Sequence, residues 1–222
     1  MPRRREPWYR LAESLLIPPL TVWFRWRFEG LANVPSEGAV LVAANHVSHF
    51  DPLAHAFFLE KAGRRPRFLA KSELYRNPLL RTVLRGARQI AVRRGSGDPA
   101  PVEEAILSLR EDEVVVVYPE GTVTKNPDFT PMYAKTGIAR LTLASGVPVL
   151  PLAVWGSHLV ESRGRKNFRP GIHIWVKAGV PRDFSEHEDD QEDPETLRKV
   201  TDAVMSEVAL LVDDLRARYP GR

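Results

Sequence analysis

The sequence contains no cysteine at all. This absence excludes disulfide bonds, thiolate nucleophiles, iron–sulfur clusters and zinc sites built on cysteine. A chain of 222 residues can bury enough apolar surface to fold without such cross-links. Hydrophobic residues make up 43% of the chain and charged residues 27%, which is typical of a globular protein and excludes collagen, coiled coil and wholesale disorder.

Long uninterrupted hydrophobic runs are also missing. Residues 141–160 carry no formal charge, but Gly146, Pro148 and Pro151 interrupt them, so we expect a helix end, a turn and a buried strand there. The basic start of the chain is not followed by an apolar run of signal-peptide length. We therefore expect no transmembrane helix and no cleaved leader. The expected location is the cytosol, or a peripheral position on the cytoplasmic face of the cell membrane.

Basic residues outnumber acidic ones by 32 to 28, which gives a net charge of +4. This excess indicates an anionic partner, which is nucleic acid, a phosphorylated substrate or an anionic membrane face. Residues 8–27 mix tryptophan and leucine with arginine, a composition typical of an amphipathic helix at a membrane interface. The alternative is that this helix packs its apolar face on the rest of the protein.

Apolar runs alternate with amphipathic helical patterns along most of the chain. This alternation predicts one three-layer α/β domain, with a mostly parallel central sheet flanked by helices. The predicted strands are residues 39–44, 67–70, 89–92, 114–118, 149–154 and 172–178, and the predicted helices are residues 51–61, 77–85, 101–110, 135–145 and 194–218. We divide the chain into an N-terminal amphipathic membrane-interface segment (1–28), the α/β domain (29–182), and an acidic linker with a C-terminal helix that packs on the domain (183–222).

The first candidate site is a loop that follows a buried strand and contains His46 and Asp51. Imidazole is the side chain best suited to take a proton near neutral pH. A carboxylate that bonds its other nitrogen fixes the tautomer and stabilises the imidazolium. The alternative for this loop is that Asp51 caps the next helix and that His46 has no role in chemistry.

The second candidate loop is Tyr-Pro-Glu-Gly-Thr at residues 118–122, directly after the strongest strand. Loops at the carboxyl ends of strands in open α/β sheets are where ligands bind. Gly121 lets the backbone approach a ligand closely, and Glu120 can bind a hydroxyl or position a basic side chain. The alternative is a plain turn.

Together, the two loops resemble the glycerolipid acyltransferase family, whose best-known members are 1-acyl-glycerol-3-phosphate acyltransferases. Asn45-His46-x₄-Asp51 is followed at the family's spacing by the Tyr-Pro-Glu-Gly-Thr loop. Residues 86–93 and 147–152 look like two further blocks of the family. The resemblance covers about residues 31–180 and implies direct transfer of a fatty acyl group to a lysophospholipid hydroxyl, with 1-acyl-glycerol 3-phosphate as the expected acceptor.

The resemblance also implies roles for individual residues. His46 would be the general base and Asp51 would orient it, with no covalent acyl-enzyme. Lys71 and Arg93 would contact phosphate on the acceptor or the donor. The loop residues Glu120, Gly121 and Thr122 would shape the acceptor site.

The implied partners are lipids and a thioester. Acyl-CoA or acyl carrier protein would supply the acyl group, the membrane would be anionic and bound peripherally, and we expect no bound cofactor, metal or nucleic acid. One departure from the family lies at Val123, where the family usually has an arginine that holds the acceptor phosphate. The acceptor is therefore either held by other basic residues or carries no phosphate there, and glycerol 3-phosphate or a non-phosphate lysolipid stays an alternative acceptor.

Two other classes of function stay open from the residues alone. Imidazole and carboxylate ligands from His46, His49 and Asp51 could bind zinc or manganese in a metal-dependent phosphoesterase. A lipid-binding module without activity is the other alternative. Two further histidines, His55 and His187, we interpret as structural or solvated.

Overall fold

The computed structural model describes residues 18–93 and 98–220. Nine strands lie within these ranges: β1 Arg25–Glu29, β2 Val40–Ala44, β3 Pro66–Lys71, β4 Ile90–Val92, β5 Val114–Val117, β6 Val149–Trp155, β7 Glu161–Ser162, β8 Arg165–Lys166 and β9 His173–Ala178. The longer helices are α1 Asp51–Lys61, α2 Pro78–Gly86, α3 Ala100–Arg110, α4 Gly137–Ser145 and α5 Pro194–Arg218. Short 3₁₀ helices lie at Leu31–Asn33, Ser72–Arg76, Ser157–Leu159 and Ser185–Asp190.

Local sequence signals explain where several helices begin and end. Asn77 caps α2 through hydrogen bonds from the amides of residues 79 and 80, and Asp193 caps α5 through the amide of Thr196. Proline follows each cap in the first turn, where its missing N–H costs nothing. Gly146 ends α4 with φ of 63°, a conformation that glycine adopts without strain.

Seven of the strands form one sheet in the order β1-β9-β6-β2-β5-β3-β4. The five strands from β6 to β4 are parallel, whereas β9 runs antiparallel to β6 and β1 runs parallel to β9. β7 and β8 form a separate two-stranded hairpin. The predicted mostly parallel central sheet is therefore confirmed.

The sheet buries both of its faces. In β2, Val40 and Val42 pack in one core cluster together with Phe58 of α1, while Leu41 packs in the other cluster with residues of α3, α4 and α5. Strands covered on both faces read as continuous apolar runs, which is why β5 is four successive valines. The three predicted layers are thus helix, sheet and helix.

The amphipathic helix predicted for residues 8–27 ends earlier than expected. Residues 18–23 are helical, but Arg25–Glu29 pairs with β9 as an edge strand and does not continue the amphipathic helix. Trp26 packs against the Phe57 ring, at 5.0 Å between centroids, so part of the aromatic content serves the core. Residues 1–17 lie outside the described ranges, and the interface role predicted for them stays a prediction.

Two smaller differences concern the acidic linker and the hairpin of β7 and β8. Part of the predicted linker forms the 3₁₀ helix Ser185–Asp190, and the hairpin of β7 and β8 was not predicted. Within residues 18–93 and 98–220, none of the helices has the length and apolarity that a membrane crossing requires.

Candidate active site

The carboxyl ends of neighbouring parallel strands bring the predicted site residues to one edge of the sheet. His46 follows β2 and Glu120 follows β5, and these two strands are paired with Ala43 opposite Val117. Lys71 ends β3, which pairs with β5 on its other side, and Arg93 follows β4. Open α/β sheets bind ligands at this edge.

His46 and Asp51 form the pair that their spacing predicts. His46 Nδ1 lies 2.9 Å from Asp51 Oδ2, and both side chains are buried, with Asp51 fully inaccessible. Because the carboxylate accepts, Nδ1 carries the proton and Nε2 is left as the basic nitrogen. His46 lines a cleft, and among the described residues none hydrogen-bonds to its Nε2.

Asp51 does not cap α1 as the sequence suggests. It is the first residue of the helix, and its side chain turns back to the preceding loop. Oδ2 accepts the backbone amides of Val47 at 2.7 Å and Ser48 at 2.8 Å, and Oδ1 accepts the hydroxyl of Ser157 at 2.5 Å. The carboxylate is thus held by four donors, which satisfy its buried oxygens.

Two further contacts fix the loop that carries His46. The Asn45 amide pairs with the backbone of Val154, donating to its carbonyl at 3.0 Å and accepting its N–H at 2.8 Å. Glu161 accepts the amide of His49 at 2.9 Å and lies 3.1 Å from its ring. Both partners lie more than 100 residues away along the chain.

Glu120 joins the two predicted loops. Its Oε1 accepts the backbone amide of His46 at 3.0 Å and its Oε2 accepts that of Met132 at 2.8 Å. Burial raises the pKa of Glu120 to about 7, against the two hydrogen bonds, which lower it. Both carboxylate oxygens are occupied by backbone groups, so this side chain positions the loops, and its predicted contact with the acceptor stays a prediction.

A neutral aromatic layer lies under His46. The Tyr118 ring stacks on the His46 ring at 4.1 Å between centroids, and the Tyr118 hydroxyl lies 3.0 Å from Nδ1 of His55. Burial lowers the pKa of His55 to about 4 and raises that of Tyr118 well above its ordinary value. Both groups are therefore uncharged near neutral pH, and the structural interpretation of His55 agrees with its complete burial.

An apolar cleft of about 540 Å³ begins at His46. His46, His49, Lys71, Glu60 and Gln89 are the polar side chains in a wall that is otherwise mostly hydrophobic and aromatic. The apolar wall includes Leu20, Leu53, Phe57, Phe68, Leu74 and Tyr118. Its size and lining are those of a site for a small molecule with a long apolar part.

The basic side chains predicted to bind phosphate lie at the same sheet edge but differ in their placement. Lys71 is exposed and lines the cleft, while Arg93 is exposed after β4 and does not line it. Lys135 is a further basic residue here that was not predicted from the sequence. A methyl group placed on Gly121 would lie 3.6 Å from Lys135 Nζ, so this ammonium group lies beside the loop in which Val123 replaces the family's arginine.

The second loop contains two backbone amides that donate no hydrogen bond to the described residues. The amide of Gly121 donates to the Tyr118 carbonyl at 2.9 Å and that of Thr124 to the His46 carbonyl at 2.7 Å. Between them, the amides of Thr122 and Val123 donate to no other described residue. Gly121 has φ of 72°, which explains why glycine occupies this turn.

The alternative metal centre is not assembled in the part of the chain that the structure describes. The His49 ring contacts Glu161 and lies 6.3 Å from the His46 ring, centroid to centroid. No group of three or more ligating side chains in residues 18–93 and 98–220 has the geometry to hold a metal ion.

Comparison with known proteins identifies the class. A family model described as "Acyltransferase" matches residues 25–155, which is more than half of the chain and includes both loops of the site. The chain belongs to the acyltransferase family, and the resemblance seen in the sequence is confirmed.

Individual relatives share only about a quarter of their aligned residues with this chain. The chain is 28% identical over 137 residues to a 1-acyl-sn-glycerol-3-phosphate acyltransferase of Limnanthes douglasii, covering 60% of this chain and 48% of that protein. It is 25% identical over 142 residues to the protein of that name from Bacillus subtilis (strain 168), covering 63% and 65%. The match therefore spans less than two thirds of either relative.

A solved structure shares the fold. The crystal structure of the 1-acyl-sn-glycerophosphate (LPA) acyltransferase PlsC from Thermotoga maritima matches with a TM-score of 0.73 at 28% identity. The match covers 96% of this chain and 81% of that one. The α/β architecture deduced from the sequence is thus also the architecture of an acyltransferase.

Proposed function

We propose that this protein transfers a fatty acyl group from an acyl thioester to the hydroxyl of a lysophospholipid, with 1-acyl-glycerol 3-phosphate as the first acceptor to test. The observation that carries the proposal is the buried His46–Asp51 pair at the wall of an apolar cleft. Membership of the acyltransferase family and the printed names of the relatives support it.

His46 supplies the base in this mechanism. Its Nδ1–H is held by Asp51, so Nε2 takes the proton of the acceptor hydroxyl as the oxygen attacks the thioester carbonyl. The tetrahedral intermediate then collapses, the carbon–sulfur bond breaks, and the thiolate leaves with the proton from His46. The products are the acylated lipid and the free thiol, and no acyl group is ever attached to the protein.

The negative charge on the carbonyl oxygen requires hydrogen-bond donors during the reaction. The amides of His46, Val47 and Ser48 are already engaged by Glu120 and Asp51. We therefore assign the role of oxyanion donor to the amides of Thr122 and Val123, which have no partner among the described residues. The polar edge of the cleft would then hold the reacting groups and its apolar wall the acyl chain.

The acceptor phosphate needs basic partners because Val123 cannot supply a guanidinium group. Lys71 in the cleft wall and Arg93 at the neighbouring strand end are two candidates. Lys135 beside Gly121, in the loop that also carries Val123, is a third. Lysine binds phosphate as a point charge without the bidentate geometry of arginine, so this site would select the acceptor headgroup less strictly.

Val123 also favours a second candidate, which is acyl transfer to an acceptor without phosphate at that place. The distinguishing experiment is an acyl-transfer assay of the full chain with lysophosphatidate, glycerol 3-phosphate and neutral lysolipids, each with acyl-CoA and with acyl carrier protein as the donor. Transfer to lysophosphatidate above all others supports the first candidate, and preference for a neutral lysolipid supports the second. Absence of transfer to every acceptor would contradict the proposed function.

We further propose that the protein works peripherally on the cytoplasmic face of the membrane, with residues 1–17 as one contact. The truncation that tests this must stop before β1, because removing residues 25–27 would cut an edge strand of the sheet. Deleting residues 1–17 should weaken binding to anionic vesicles and make the remainder less salt-sensitive. Equal binding by the folded truncated protein would contradict this contact.

A further inference from the structure

Helix α2 contributes no buried residue to the core. Three of its aliphatic side chains are exposed to solvent: Leu79 by 74%, Leu80 by 41% and Val83 by 41%. A soluble protein usually buries the apolar stripe of such a helix against a second element. Here the described part of the chain leaves Leu79 mostly exposed and Leu80 and Val83 partly exposed, so the stripe is open to a different partner.

The opposite face of α2 is basic. At about 100° per residue, Leu79, Leu80 and Val83 lie on one side of the helix, and Arg81 and Arg85 lie together on the other. Both arginines are exposed, as is Arg76 in the preceding 3₁₀ helix. None of the three forms an ion pair with a described residue.

The sequence around α2 lacks acidic residues over a long stretch. No aspartate or glutamate lies between Glu73 and Asp98. The surface of α2 therefore combines exposed leucines with arginines that no neighbouring carboxylate neutralises. This is the composition of a helix that lies in the interface of an anionic bilayer, with its apolar side inserted and its arginines at the headgroups.

This surface is continuous with the apolar cleft. Val83 and Leu84 of α2 line the cleft, together with Leu74 just before the helix. Leu53 of α1 also lines the cleft and is 39% exposed. The cleft thus opens through an apolar rim, and its polar end carries His46.

We propose that α2 and this rim form a docking surface for an anionic lipid bilayer, which places the cleft mouth against the membrane. The proposal rests on the proposed function only in taking a lipid to be the occupant of the cleft. An acidic carrier protein would pair with the arginines, but it offers no reason for leucines as exposed as Leu79. A bilayer accounts for both the arginines and the leucines.

The test is binding of the full chain to vesicles of phosphatidylglycerol and phosphatidylcholine, followed by co-sedimentation. Leu79→Glu should weaken binding at least ~10-fold, because it puts a charge where the apolar face inserts. The matched control is Leu107→Glu, at a residue 58% exposed on α3, which lies on the opposite face of the sheet. Neither residue is buried, so both variants should keep the parental melting temperature.

The arginines provide a second variant. Arg81→Ala with Arg85→Ala should weaken binding to anionic vesicles by roughly fivefold per arginine and leave binding to pure phosphatidylcholine unchanged. The control is Arg110→Ala, at an exposed arginine of α3. Loss that is equal on both kinds of vesicle would contradict the electrostatic part of the proposal.

Three outcomes would overturn it. The first is parental vesicle binding by Leu79→Glu. The second is parental vesicle binding by Leu79→Glu together with a loss of its turnover when acyl carrier protein is the donor but not when acyl-CoA is. That result would make α2 a carrier-protein surface. The third is dissociation of a dimer by Leu79→Glu without any change in vesicle binding, which would make a second copy the partner.

Failure of this inference and failure of the proposed function give different results. His46→Ala should bind vesicles like the parent protein, since its chemistry does not concern the surface. Leu79→Glu should turn over a short-chain substrate in free solution at the parental rate. Suppose that the parent protein binds vesicles but shows no acyl transfer, and that Leu79→Glu weakens the binding. The docking surface is then supported and the proposed reaction is contradicted.

Discussion

The two sides of the candidate site are built differently. On the side of the proposed base, Asp51 and His46 are buried, and each is held by several hydrogen bonds. On the side of the proposed acceptor, Lys71, Arg93 and Lys135 are exposed side chains at the ends of strands or in loops. The part proposed to act on any substrate is buried and hydrogen-bonded, and the part proposed to select a headgroup can change without unfolding the protein.

The largest expected effect follows from removing the base. His46→Ala should lower turnover by at least ~10²-fold, because general-base catalysis typically contributes ~10²–10⁴-fold. Asp51→Asn should also be severely impaired, since the amide can hold the wrong tautomer of His46. The measurement is acyl transfer by variants with parental melting temperatures, with His187→Ala as the control histidine. Near-parental turnover in His46→Ala would contradict the mechanism.

The buried groups beneath and beside His46 predict how stability changes with pH. Glu120 has a pKa of about 7 in the folded protein and an ordinary value of 4.5, so the folded state holds its proton more tightly. The stability that this adds is complete below pH 4.5 and is lost as the pH rises through 7, by up to ~3 kcal/mol. Glu120→Gln removes this dependence. Relative to the parent, the unfolding free energy of the variant should therefore rise between pH 4.5 and 7.

The protonation of His55 changes the stability with pH in the opposite direction to that of Glu120. Its pKa of about 4 lies below the ordinary 6.5, so the unfolded chain binds the proton first as the pH falls. Stability should fall between pH 6.5 and 4, by up to ~3 kcal/mol, and Glu120→Gln should make this fall visible because it removes the opposing change. The measurement is urea unfolding at several pH values. If plots of unfolding free energy against pH are parallel for the parent and Glu120→Gln, then Glu120 titrates alike in the folded and unfolded states, which contradicts the prediction.

A smaller effect is expected at Ser157, whose hydroxyl reaches Asp51 from a distant part of the chain. Ser157→Ala leaves Oδ1 of a fully buried carboxylate without its donor, so Asp51 should hold His46 less well. We expect kcat to fall by roughly tenfold with little change in KM, as is typical for groups that orient a ligand or base. Ser206→Ala, on the exposed surface of α5, is the matched control. A change in KM alone would assign Ser157 to substrate binding.

The smallest expected effects lie on the acceptor side. Arg93→Ala and Lys135→Ala should each raise the KM for a phosphorylated acceptor several-fold and leave kcat near the parental value, since an exposed ion pair contributes about 1 kcal/mol or less. Val123→Arg should lower the same KM by adding a bidentate partner for phosphate. Unchanged acceptor kinetics in Arg93→Ala and Lys135→Ala together would contradict a phosphate site here. The neutral lysolipids serve as the internal control, because none of the three substitutions should affect them.

Local sequence patterns were enough for most of the fold. The valine run of β5, the proline after Asn77 and the apolar spacing of α5 each act within a few residues, so their elements lie close to the predicted positions. β1 was missed because its tryptophan and arginines suit an interface helix equally well, and only pairing with β9 makes it a strand. The alternative of Asp51 as a helix cap arose for a similar reason, since its position at the helix start was visible in the sequence and the turn of its side chain back to the loop was not.

The sequence by itself determined the absence of thiol chemistry, the alternation of strands and helices, and the spacing that lets His46 meet Asp51. Only the tertiary structure decided which distant groups complete the site. Lys135 comes beside Gly121 within the connection between β5 and α4. Over longer separations, Ser157 is 106 residues from Asp51 and Glu161 is 112 residues from His49. The physical reason is that such contacts depend on the order of strands in the sheet, which places β6 beside β2 and β5 on its other side. Periodicity and spacing describe neighbours along the chain, and they carry no information about that order.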